Sequence, residues 1–139
     1  MNIDSIRNGI VIDHITAGRG MQIYKLLKLD TLDCSVAIIK NAFSSKMGRK
    51  DIIKVDSEID LDMDIIGYVD PGITVDVIRE GILVEKKRIG LPRRLRNVLT
   101  CKNPRCITST EQELDQVFLL TDEKSRIYRC LYCETKYTK

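Results

Sequence analysis

Tryptophan is absent from this chain, histidine occurs once, and aromatic residues make up 5% of its 139 positions. With a single histidine, His14, and no serine or free thiol that the sequence sets beside it, a nucleophilic triad has no footing. On sequence alone His14 reads as a half-buried strand residue. Long apolar runs are also missing. The longest, such as "VAII" and "VFLL", hold four residues, whereas a membrane-spanning helix needs about 20. The opening "MNIDSIRNGI" lacks the basic stretch and apolar core of a secretory leader. A soluble cytoplasmic protein is the expectation. Paired carboxylates in a catalytic setting are lacking too, since Asp60, Asp62 and Asp64 read as the solvated start of a helix.

Strong charge of one sign is likewise missing. The net charge of +3 is too small to announce a nucleic-acid binder. It is unevenly spread, however. Residues 1–92 carry 13 Lys and Arg against 14 Asp and Glu, while residues 93–139 carry 10 against 6. A near-neutral front and a mildly basic tail suggest two units, 1–92 and 93–139. The stretch "IGLPRRLRNVLTC" marks the boundary: Pro92 cannot donate to a sheet ladder, and three arginines follow within four residues.

Cysteine is what the tail does have. Four of the five cysteines lie there as C-x4-C, 23 residues, then C-x2-C: Cys101, Cys106, Cys130 and Cys133. Disulfide staples, a metal site and redox chemistry all use paired cysteines. In a reducing compartment staples are disfavoured, and "CLYC" lacks the βαβ surroundings of a redox motif. Two tight turns that each offer two sulfurs fit the tetrahedral preference of Zn²⁺, and four thiolates leave no open position for a substrate. The expectation is one structural zinc per chain, although iron fits the same cage. A tail of this size also needs such a staple, because it cannot bury much surface. Lys102, Arg105 and Arg129 stand beside ligands and would offset the charge of the site. The fifth cysteine, Cys34, reads as a buried thiol opening an apolar strand.

In the front unit, "GIVIDHI" reads as a strand and "GRGMQIYKLLKL" as an amphipathic helix with Met21, Tyr24 and Leu27 at three-residue spacing and Ile23 and Leu26 beside them. "CSVAIIK" and "DIIKVDSEI" read as strands on either side of a polar loop "NAFSSKMGRK". "DLDMDIIGYVD" reads as a helix, and "ITVDVIRE" and "ILVEKKRI" as a hairpin about Gly81. The order β-α-β-β-α-β-β matches the α+β ferredoxin-like arrangement, an antiparallel sheet with two helices on one face and an added strand. "QVFLL" and "RIYRC" predict a hairpin in a small β-rich metal domain.

Weaker signals remain. "AGRG" gives G-x-G between strand and helix, where a phosphate could sit on the helix N-terminus, but the third glycine of a dinucleotide fingerprint is absent. Lys50, Ile52 and Lys54 share one face if "DIIK" is extended; two lysines there could hold phosphates, or merely protect an edge. Lys86, Lys87 and Arg88 are equally ambiguous. Asp13 points away from His14 on an ideal strand, so both line one site only if the strand bends.

"GIVIDHI", "MGRKDIIKV", "LPRRLRNVLTC" and the cysteine pattern, in this order, resemble the regulatory chains of aspartate carbamoyltransferase over residues 3 to 137. The resemblance implies a chain without catalytic activity. It would form a homodimer through its nucleotide-binding N-terminal domains and dock its zinc domain on catalytic chains, so that regulatory dimers bridge catalytic trimers. It would control pyrimidine biosynthesis allosterically, with CTP inhibiting, ATP activating and UTP assisting CTP. Carried over by position, Asp13 and Lys54 would contact ribose or base, and His14 and Lys86 would face the triphosphate. Ile6 and Ile78 would line the base pocket, and Lys50 would lie at its edge. Asn103, Tyr132 and Glu134 would serve the catalytic-chain contact. Two positions depart from the pattern. Asp76 stands where well-known members carry asparagine near the triphosphate, and Gly81 where they carry tyrosine beside the base. Weaker or divalent-dependent nucleotide binding is the resulting expectation. The competing class is a zinc-ribbon nucleic-acid binder, suggested by the basic tail with Tyr128, Tyr132 and Tyr137.

Overall fold

A computed structural model describes residues 6–138. The chain divides into two compact units, one ending at Gly90 and the other beginning at Leu91.

The first unit contains β1 (Gly9–Thr16), α1 (Gly20–Leu26), β2 (Val36–Ser44), β3 (Gly48–Val55), α2 (Met63–Val69), β4 (Thr74–Arg79) and β5 (Ile82–Arg88). The five strands form one sheet in the order β2-β3-β1-β4-β5, with every pairing antiparallel. The first four strands take the order expected of the split βαβ arrangement, and β5 extends it at the edge. One face packs against the helices. Ile10, Ile12 and Ile15 of β1, Ile53 and Val55 of β3, and Val75 and Val77 of β4 are buried there with Ile23 of α1 and Ile66 of α2. The helix stripe is therefore centred on Ile23, not on Met21, which stays exposed together with Leu26.

Simple alternation cannot put both Ile12 and Ile15 into the core. A bulge does so. The pairing of β1 with β3 jumps from Ile12↔Ile53 to Ile15↔Asp51, leaving Asp13 and His14 opposite Ile52. An extra residue restores the inward phase and bends the strand. His14 absorbs the bend at φ 59°. A second bulge, at Lys40 and Asn41 of β2, lies opposite Asp51.

Asp51 ties these irregularities together. It is fully buried. Its Oδ2 accepts hydrogen bonds from the backbone N–H of Gly18 (3.0 Å) and Gly20 (2.8 Å), and its Oδ1 from that of Asn41 (2.8 Å). A buried carboxylate is tolerable when its lone pairs are taken in this way. It also does for α1 what an N-cap side chain does elsewhere. Any Cβ on Gly20 would sit 2.8 Å from Asp51 Oδ2, so glycine is required by close approach. The second helix is capped conventionally, with Asp62 Oδ1 accepting from Asp64 and Ile65 N–H.

Three expectations need correction. The stretch "NAFSSKMGRK" is mostly strand, with β2 running to Ser44 and β3 starting at Gly48; the second bulge keeps that hairpin paired despite its polar residues. Cys34 precedes β2 and is half-buried against the core, not buried within a strand. "RRLR" is not a bare boundary: Arg94–Arg96 form a strand whose Leu95 is buried.

That strand, β6, belongs to the second unit, with β7 (Val117–Asp122), β8 (Ile127–Cys130) and a single helical turn α3 (Ile107–Thr110). Its sheet runs β6-β7-β8, antiparallel. A small core of Leu95, Leu99, Val117, Phe118 and Tyr128 lies beside the cysteines. Tyr137 meets Phe118 edge-on at 5.8 Å, and the Tyr128 hydroxyl donates to the Pro92 carbonyl at 2.6 Å.

Candidate metal centre and the open face of the sheet

The two cysteine pairs arrive on two turns. In the first, Asn103 holds the loop: its carbonyl accepts from Cys106 N–H and from the Ser109 hydroxyl, and its Oδ1 accepts from Arg105 N–H. In the second, Cys130 N–H donates to Thr135 and Glu134 N–H returns to Cys130, with Glu134 at φ 60°. The four Sγ atoms lie within 4.8 Å of one another. Cys101 and Cys133 are 3.6 Å apart, and Cys106 and Cys130 are 3.7 Å apart. A tetrahedron with Zn–S of about 2.3 Å has edges of about 3.8 Å, so the sulfur spacing fits this ion. No pair is joined by a disulfide.

The thiols differ sharply. Burial, aided by the neighbouring thiols, pushes Cys101 up to about 12. Cys133 is drawn down to about 6: burial opposes this, but the Thr135 hydroxyl and backbone and the Asn103 side chain stabilise its thiolate. Thr108 and Thr135 contact Cys106 and Cys133 at 3.1 and 3.2 Å. Both belong to a repeated C-x-T pattern, "CIT" and "CET", a legible signal that ligand spacing alone passes over. Such outer partners orient metal ligands and tune their basicity. With every position taken by sulfur, the centre is structural.

Around it, Ile107, Leu131 and Tyr132 are exposed. They directly follow Cys106 or lie between Cys130 and Cys133, so the metal turns carry them outward. Glu134 is exposed as well. Asn103, by contrast, is half-buried, and its Nδ2 reaches Thr135 Oγ1 at 3.3 Å. Lys102 donates to the Thr138 carbonyl and lies 5.3 Å from the Tyr137 ring centre.

In the first unit the face away from the helices collects most of the other singled-out residues. Direct pairings form one row across five strands: Ala37, Lys54, Val11, Asp76 and Lys86. Directly paired residues point to the same side of a sheet. Asp13 pairs with Thr74 in a neighbouring row, and Ile78 with Gly9 in another. Lys50 Nζ lies 2.9 Å from Asp13 Oδ1. His14 Nδ1 lies 2.9 Å from Thr74 Oγ1, and its backbone N–H donates to Asp13 at 2.6 Å. The bulge thus supplies the bend that lets Asp13 and His14 share one site. Burial works to raise the Asp13 carboxyl, but the Lys50 hydrogen bond, the His14 N–H and the nearby positive charges hold it below its ordinary value. Thr74 was not singled out by sequence; only the register reveals it.

Ile6 is buried at the start of the described chain. Its neighbours are tied to the β4–β5 turn, where Gly81 N–H donates to Arg7 and Glu80 N–H to Asn8 Oδ1. Glu80 and Gly81 both have positive φ, 53° and 76°, the requirement of a tight hairpin turn matched to strand twist. This explains glycine at 81. The "AGRG" loop does not offer itself to phosphate, because the N–H groups of Gly18 and Gly20 are given to Asp51.

Among the described residues no helix is long and apolar enough to cross a membrane. Residues 1–90 match the family model "aspartate carbamoyltransferase regulatory chain, allosteric domain", and residues 93–139 match the corresponding metal binding domain. The chain is 49% identical over 138 residues to the aspartate carbamoyltransferase regulatory chain of Clostridium botulinum strain Hall, covering 99% of this chain and 94% of that one. It is 46% identical to the regulatory chain of Clostridium tetani over 99% of this chain and 96% of the relative, and 43% identical to that of Bifidobacterium longum over 96% of each. These matches favour a regulatory role over a zinc-ribbon nucleic-acid binder. An allosteric domain and a four-cysteine metal-binding domain, in that order over the whole chain, place it in the family of aspartate carbamoyltransferase regulatory chains.

Proposed function

We propose that this chain binds nucleoside triphosphates of the CTP, ATP and UTP type on the open face of its first unit, and passes the signal to catalytic chains through its zinc unit. The observation that carries the proposal is the gathering of Lys50, Lys54, Lys86, His14 and Asp13 on one sheet face, with Ile78 on the same side. Lysines there act as point charges for phosphates. Asp13 is already oriented by Lys50 and is an acceptor for ribose hydroxyls or a base amino group. Asp76 lies within the same face, and Ile6, buried against Gly9 near its end, backs the place for a base. Binding can shift the assembly only through different affinities for two global states.

The zinc unit docks on the catalytic chain through Tyr132 and Glu134, with Ile107 and Leu131 adding apolar surface. Their exposure on the metal turns supports this. Asn103 contributes chiefly by holding the turn. The first unit, residues 1–92 in function, pairs with a second copy of itself. In support, edge strand β5 leaves Ile82, Leu83 and Val84 exposed at 64%, 52% and 49%, and an apolar unpaired edge invites another strand. The protein works in the cytoplasm, contacts neither DNA nor RNA, and has no catalytic step of its own.

The test is calorimetric titration of the zinc-loaded chain with CTP and with ATP, with and without Mg²⁺. Saturable binding that weakens on Lys54→Gln or Lys86→Gln supports the reading. Absence of binding by either nucleotide overturns it.

A further inference from the structure

Asp76 Oδ1 is buried and has no hydrogen-bond partner among the described residues. An ionised carboxylate oxygen in that condition is costly, so any loss of nearby positive charge tips the group toward its protonated form. Charged and titratable groups face it from each neighbouring strand. Lys86 is its direct partner on β5. Asp13 and His14 lie on β1, beyond Val11, its direct partner there, and Lys50 and Lys54 stand on β3. Burial pushes the Asp76 carboxyl above its ordinary value. Lys86 opposes the shift, the charge of Asp13 adds to it, and His14 and Lys50 oppose it.

Resting on the proposed effector face, the consequence is a linkage. The cations that keep Asp76 ionised, Lys86 and Lys50, are the same groups a polyphosphate would recruit. As they turn to phosphate oxygens, Asp76 loses countercharge and gains an anionic neighbour. Both changes favour its protonated form. We propose that polyphosphate binding to this face is coupled to proton uptake by Asp76, whose carboxyl then donates a hydrogen bond toward the ligand. The proton comes from solvent, and no other bond is made or broken. A divalent cation suits the site less well, because Oδ1 is closed to solvent while a cation needs several open oxygen ligands. Asp76 is thereby a specificity-determining residue: it penalises highly charged polyphosphates at high pH and accepts them as the pH falls.

The test uses the zinc-loaded full chain and inorganic tripolyphosphate. Calorimetry at pH 6 in two buffers of different ionisation enthalpy reads the protons taken up per ligand. Protons exchanged by the tripolyphosphate itself are common to both chains, so the expected readings are more uptake (or less release) by the wild-type chain than by Asp76→Asn, and binding by Asp76→Asn at pH 8 that is tighter by roughly three- to tenfold. The difference in uptake between chains with and without Asp76→Asn should persist in a His14→Gln background, which separates Asp76 from its neighbour on β1. As a check needing no variant at Asp76, its carboxyl carbon is followed by NMR, and its titration should move to higher pH when tripolyphosphate is present. Binding with uptake unchanged by Asp76→Asn, or an unmoved titration, overturns this inference alone. Failure of tripolyphosphate to bind overturns the effector face itself, and the inference with it.

Discussion

The Lys50 ammonium sits 2.9 Å from the Asp13 carboxylate across the β1–β3 pair, beside a bulge that holds His14 at φ 59°. One ion pair thus fixes an acid and a base on the open face before any ligand arrives. It also makes that face sensitive to acid. Asp13 is held below its ordinary value. Its contribution to stability is therefore complete above its unfolded-state pKa and is lost as pH falls through its lower folded value. Both side chains keep contact with water, so the contribution is below about 1 kcal/mol. Acid denaturation of Asp13→Asn, set against the wild-type chain, should show a shallower loss of stability in that window. An identical acid limb would remove the ion pair from the account.

A larger effect is expected one residue further along β3. Asp51→Ala strips partners from Gly18, Gly20 and Asn41 N–H around a fully buried site. Gly20 N–H is buried, at about 1–3 kcal/mol if left unsatisfied, while Gly18 and Asn41 are exposed and turn to water, so the first unit should be destabilised by about that amount. Gly20→Ala should destabilise as well, since the new Cβ meets Asp51 at 2.8 Å. Thermal melts check both. A melting temperature unchanged in Asp51→Ala would mean that the carboxylate does not organise the helix entry.

Much of this was legible from residue patterns, and the failures share a cause. The two longer helices and the cysteine set follow from periodicity and spacing, which are local, whereas the strand order was expected by analogy with the ferredoxin-like succession of elements. "MGRKD" draws attention through its lysine, but its aspartate is the organising residue. Nothing local marks Asp51, because its partners lie 10, 31 and 33 positions away. The bend at Asp13 and His14 stood in the sequence only as a condition for one shared site, because phase in a strand is settled by its neighbours, not by its own alternation. Thr74 and the strand at Arg94–Arg96 likewise acquire meaning only through pairing partners.

Metal removal tests the second unit. Structural zinc binding is worth about 10–16 kcal/mol and is coupled to folding. Chelation, or Cys106→Ser at the most enclosed pair, should unfold residues 93–139 while the first unit keeps its melting transition. Because Cys101 lies near 12 without metal, reloading zinc at pH 7 should release protons, fewer as the pH rises. Metal analysis with a pH indicator measures both. A zinc-free chain whose second unit melts unchanged would contradict the structural assignment.

The exposed metal turns give a prediction separable from folding. Tyr132→Ala and Leu131→Asp leave every sulfur in place, so zinc content should stay at one per chain. Affinity for aspartate carbamoyltransferase catalytic chains should drop by roughly tenfold or more, as expected for truncation of an interface aromatic. Zinc-replete variants that bind as tightly as wild type would move the docking surface elsewhere.

The most direct measurement mixes the zinc-loaded chain with aspartate carbamoyltransferase catalytic chains and follows assembly mass and carbamoyltransferase activity as CTP or ATP is added. Expected is a larger hetero-assembly, lost on chelation, whose activity depends on nucleotide only when this chain is present. Catalytic chains that remain unassociated, or an assembly whose activity ignores every nucleotide, would contradict it.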